Sequence, residues 1–146
     1  MTRDALPAST RKAPWHLWAV GILALLWNGS GAYTILLAQA GRLPGISADE
    51  AAYYAAQPLW FVVTTDISLF GAIAAAIALL LRSRAAVWLF ALSLASIFVT
   101  NIYDLAAGSS RAFASQGALV VTGIIGVLAV LEFVYARAMR KRAVLK

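Results

Sequence analysis

The sequence predicts an all-α polytopic membrane protein: four transmembrane helices in an up-down-up-down bundle with both termini cytoplasmic. Three observations predict it. Four apolar stretches, 15–37, 60–81, 85–107 and 112–136, each reach the roughly 20 helical residues that cross a bilayer. Hydrophobic residues make up 62% of the chain and charged residues 12%, and the apolar ones come in blocks, with neither alternation nor a heptad. Of the 12 Lys and Arg residues, all but Arg42 and Arg111 fall in the N-terminal tail, the loop after the second stretch or the C-terminal tail. Basic segments stay on the cytoplasmic side. The net charge of +6 therefore reads as membrane topology, and no nucleic-acid partner is expected.

The elements follow in order. Residues 1–14 form a basic tail with Arg3, Arg11 and Lys12. The first span opens on Trp15 and Trp18, amphipathic rings suited to the interface. Arg11-Lys12, an apolar run and Ala38-Gln39-Ala40 together resemble a signal peptide with its cleavage site. The run is too long for a typical signal core, and Asn28-Gly29-Ser30-Gly31 interrupts it, so a retained span is expected. Trp27 lies near mid-span, where packing inside the bundle is the expected reason for it.

The first outer loop, 38–58, contains a Pro44-Gly45 turn. Ser47-Ala48-Asp49-Glu50 then has capping-box spacing: the serine oxygen caps a helix start and the glutamate reaches back. A short helix through Gln57 is expected to stop before Pro58, with Tyr53 and Tyr54 laying it on the outer interface as a lid. Arg82-Ser83-Arg84 is so short that the second and third spans must be antiparallel neighbours. The third loop, around Gly108-Ser109-Ser110, is also short, and 137–146 forms a second basic tail. One four-helix domain, 15–136, is the expected unit.

Polar residues inside the spans carry the functional reading. Asp66 lies within the second span beside Thr64, Thr65 and Ser68, and a charged aspartate at the bilayer centre costs on the order of 3 kcal/mol. The third span shows Ser93, Ser96, Thr100, Tyr103 and Asp104 at spacings of three and four, which keep one face, with Asn101 beside them. The candidate intramembrane site is therefore Asn28, Asp66, Thr100, Asn101, Tyr103 and Asp104, with Asp66 facing the interior towards Asn28. Two readings stay open: a proton- or cation-coupled site, or interhelical hydrogen bonding at about 1 kcal/mol per contact or less. Glu132, close to Arg82, Arg84 and Arg137 in predicted depth, is expected in an interfacial salt bridge. Gly71-x-x-x-Ala75 and Ala118-x-x-x-Thr122-x-x-x-Gly126 are small-residue faces for packing within or between chains.

Several chemistries are excluded. There is no cysteine, and His16 is the single histidine, so thiol catalysis, thiolate metal sites and multi-histidine sites within one chain are ruled out. GxSxG and HExxH are absent. No catalytic residues, cofactor or metal are expected.

At Pro14-Trp15-His16-Leu17-Trp18, Leu26-Trp27-Asn28, Gly31-Ala32, Pro58-Leu59-Trp60, Leu80-Leu81-Arg82 and Asn101-Ile102-Tyr103, the chain resembles a family of small four-helix proteobacterial inner-membrane proteins. Such proteins often carry the label sugar transporter. The resemblance implies a bacterial cytoplasmic membrane location and carries over no catalytic residue. Two functions are expected to compete. One is an oligomeric proton- or cation-coupled carrier or binder of a small solute, since one four-helix bundle has little volume for such a site. The other is a non-catalytic accessory or structural subunit of a larger membrane complex. The lipid bilayer is a partner of either.

Overall fold

The computed structural model describes residues 12–107 and 116–146. Its helices are α1 (Trp15–Gln39), α2 (Ala48–Ala55), α3 (Leu59–Leu80), α4 (Ala85–Ala107) and α5 (Gln116–Lys141). Four of the five are long and apolar enough to cross a membrane, and the described residues form no strand. The third loop lies outside the described residues, as do Arg3, Arg11 and the start expected for the fourth span.

Local chemistry sets the boundaries. Pro14 and Pro58 hold extended backbone in front of α1 and α3, as proline's fixed φ allows. Ser47 and Glu50 form the complete reciprocal capping box at the start of α2. The lid helix ends at Ala55, two residues short of the expected Gln57, with Ala56 as its cap. α1 ends in a left-handed Gly41 (φ 65°), with Arg42 N–H donating to the Leu37 carbonyl at 2.8 Å.

The same cap closes α3 and α5 without glycine. Arg82 (φ 59°) and Ala143 (φ 55°) take the left-handed position, Ser83 N–H donates to Ala78 and Val144 N–H donates to Met139. The two turns clasp each other. Lys146 N–H donates to the Arg82 carbonyl at 2.6 Å, Arg84 N–H to the Lys146 carbonyl at 2.9 Å, and Arg82 Nε to the Val144 carbonyl at 3.0 Å. The expected basic tail is thus helical through Arg137 and Arg140 to Lys141, then hooks back and buries Val144 and Leu145.

α3 packs between α1 and α4, and α4 also packs on α5. Lipid tails are as apolar as leucine, so association relies on close contact between small residues. A Cβ on Gly71 would stand 3.7 Å from Ser93 Cβ, and Ser93 donates across the interface to the Ser68 carbonyl at 2.7 Å. On α1, a Cβ at Gly21 would meet the Leu80 side chain at 2.5 Å, so a larger residue there would have to displace that leucine. The main core sits at the end where α1 starts and α5 stops, with Leu17, Ala75, Leu79, Phe90, Met139 and Leu145 buried together.

Candidate functional site

The bundle closes where α1 meets α5, and it closes through polar groups. Asn28 sits at the middle of α1. Its amide Nδ2 donates to the Ala24 carbonyl at 2.8 Å and to both carboxyl oxygens of Glu132, at 2.9 and 3.2 Å. One amide hydrogen thus goes to its own helix and the other is shared by the carboxyl group. Nearer the termini, His16 Nδ1 and the Tyr135 hydroxyl form a second hydrogen bond between the same helices.

Between these links lies an open groove of about 830 Å³. Val20, Leu23, Ala24, Leu26 and Trp27 line it from α1, and Leu128, Leu131, Val134 and Ala138 from α5. Its polar lining is confined to Ser30, Glu132 and Tyr135. Ser30 spends its hydroxyl on the Trp27 carbonyl at 2.8 Å. The groove is thus a hydrocarbon surface with one carboxyl group opening on it.

The structure distributes the sequence-predicted site residues differently. Asn28 does not meet Asp66; it meets Glu132. Asp66 is half-buried and accepts a bond from Gln39 Nε2 at 3.2 Å. Gln39 is the last residue of α1, so Asp66 pairs with that helix end and not with Asn28. Thr100 bonds to the carbonyls of Ser96 and Ile97 on its own helix, and exposed Asn101 does the same with Ile97. Tyr103 belongs to an aromatic cluster, its ring 4.8 Å from Trp60 and 5.3 Å from Phe61. Asp104 accepts from the hydroxyl of Tyr53 at 2.6 Å, which ties the lid helix to α4. Four of the six candidates therefore gather at the lid end in α4, Asp66 adjoins the end of α1, and Asn28 alone bonds to a residue that lines the groove, Glu132.

The expected interfacial salt bridge of Glu132 is corrected. Its carboxyl group is taken by Asn28, Arg137 lies over the Phe133 ring at 5.6 Å, and Arg82 is bound to the Val144 carbonyl. The reason is the facing helix: Asn28, at the middle of α1, presents its amide to the Glu132 carboxyl group. Trp27 is corrected too: it lines the groove at 42% exposure instead of packing inside the bundle.

Outside the spans, the lid has its own electrostatics. Hydrogen bonds from Ser47, backbone first and then side chain, hold Glu50 below the usual carboxylate value. Burial pushes the Tyr54 phenol up, with the charges of Glu50 and Asp104 adding to the effect. Among the described residues no group of three or more His, Cys, Asp or Glu side chains is placed to hold a metal ion. Compared with known protein families, curated proteins and solved structures, the chain matches none of them.

Proposed function

We propose that this small integral membrane protein binds a small solute in the groove between α1 and α5, with Glu132 exchanging a proton or cation as the solute binds. The carrying observation is a carboxyl group at mid-span that opens on an apolar groove. Acids within membrane helices are costly to keep and mark solute or proton sites. The other titratable side chains on the two helices that frame it are His16 and Tyr33 on α1 and Tyr135, Arg137, Arg140 and Lys141 on α5, and of these Tyr135 shares the groove. The charge distribution supports placing both termini inside, and the sequence resemblance to small inner-membrane proteins supports a bacterial cytoplasmic membrane. Infrared difference spectra of reconstituted protein between acid and alkaline pH test the reading. A carboxyl band that titrates in wild type and vanishes in Glu132→Gln is expected; identical spectra for the two proteins overturn it.

A second reading, an accessory subunit or homo-oligomer, rests on the outer face of α5. A Cβ added at Gly123 or Gly126 would have no heavy atom within 4 Å, so this small-residue face is open to another helix. The Gly71-x-x-x-Ala75 face, by contrast, is filled by α4 within the chain. Light scattering on Gly126→Leu checks it: a smaller assembly than wild type supports an interface there, and an unchanged mass removes it.

A further inference from the structure

The groove between α1 and α5 holds a carboxyl group for which the helices supply no cation at the same level. α1, α3 and α4 contain neither Lys nor Arg. The cations of α5, Arg137, Arg140 and Lys141, all lie beyond Glu132 towards the terminal end. Asn28 satisfies the carboxyl oxygens from behind with N–H groups but brings no charge.

We propose that the groove takes an amphiphilic organic cation: an amine or onium compound with a bulky apolar body, its charge against Glu132 and its body against Leu23, Leu26, Leu128 and Leu131. The proposal rests on the reading of the groove as a solute site and names the class of solute. Charge complementarity carries it, because a cation arriving from the membrane supplies the missing countercharge. Trp27 lines the groove and is 42% exposed, and an indole ring attracts a cation. The volume of about 830 Å³ falls in the range of roughly 300–1,000 Å³ typical of small-molecule sites.

Other occupants fit less well. A polyhydroxylated solute would bury many hydroxyl groups, and each unpaired one is costly. The groove answers with Glu132, a serine already bonded to Trp27 and a tyrosine already bonded to His16. An anion would meet the carboxyl group with like charge. A helix of a second copy would bring apolar surface but no cation at that level.

The test uses the full chain in lipid nanodiscs, with tetraphenylphosphonium and tetraphenylborate as probes of similar size and opposite charge. Equilibrium dialysis against protein-free nanodiscs corrects for partition into lipid. Saturable binding of the phosphonium and none of the borate is expected. Glu132→Gln should weaken phosphonium binding about tenfold or more, a loss of about 1.4 kcal/mol. Leu128→Trp, which narrows the groove and leaves Glu132 in place, should weaken it as well. Thermal unfolding of both variants establishes that they are folded. Equal binding of the two ions, or phosphonium binding unchanged in Glu132→Gln, overturns the proposal. If the phosphonium fails to bind while the titrating band of Glu132 persists in the infrared spectra, the cation class falls and the proton-exchanging site stands. If both measurements fail, both readings fall.

Discussion

At the scale of single residues, two acids exchanged places between expectation and structure. Asp66 stood out because Thr64, Thr65 and Ser68 surround it, yet its partner is Gln39 at the end of α1. Asp66→Asn should leave the melting temperature nearly unchanged, because the amide still offers Gln39 an acceptor oxygen. A drop larger than that of Asn28→Leu would show that the aspartate charge itself is needed. Asn28→Leu strips Glu132 of its donor and should destabilise the protein by about 1 kcal/mol in thermal unfolding, the usual scale of interhelical hydrogen bonds. Ala143 is a third case. Its φ of 55° strains any residue with a Cβ, so Ala143→Gly should stabilise by about 1 kcal/mol or less, read as a higher melting temperature.

At the scale of elements, legibility followed the range of the determining interaction. The capping box of α2 was readable because both partners lie within one turn: Ser47 and Glu50 fix each other with no help from the rest of the chain. The partner of Glu132 was not readable, because it depends on how α1 and α5, far apart in the sequence, lie against each other. The small-residue motifs were legible as faces, but only packing shows that Gly71 meets α4 while Gly126 meets nothing among the described residues. The lid also predicts a pH response. Glu50 is held low in the folded state, so its contribution is complete above its unfolded value and fades as pH falls through the folded one. NMR shifts of residues 48–55 should therefore move from helix towards coil in acid. Glu50→Gln, which keeps the spacing of the box, should show no such titration at that step.

At the scale of the whole molecule, the fold class was written in block hydrophobicity, and the placement of Lys and Arg is the ground for the proposed orientation. Reporter fusions after Lys146 and within 46–57 test the orientation: cytoplasmic activity for the first and periplasmic for the second are expected, and the reverse pattern refutes it. The clasp between the α3–α4 turn and the segment after α5 has a mechanical consequence. Ala136, Met139, Val144 and Leu145 anchor one end of α5 in the core, whereas Val120, Val121, Ile124 and Val127 are exposed along the other half. Among the described residues the anchoring of α5 is concentrated at this end, which makes the helix a lever. Any tilt of α5 moves residues near His16 and Tyr135 least and opens the distance between Ser30 and Leu128 most, so the clasp is the pivot of the groove. Because the chain has no cysteine, spin labels can be placed on 30 and 128, and on 16 and 135, without removing native thiols. A broad distance distribution for the first pair and a narrow one for the second would reveal the lever; equal widths would mean that α5 moves as freely at its clasped end as at its open one.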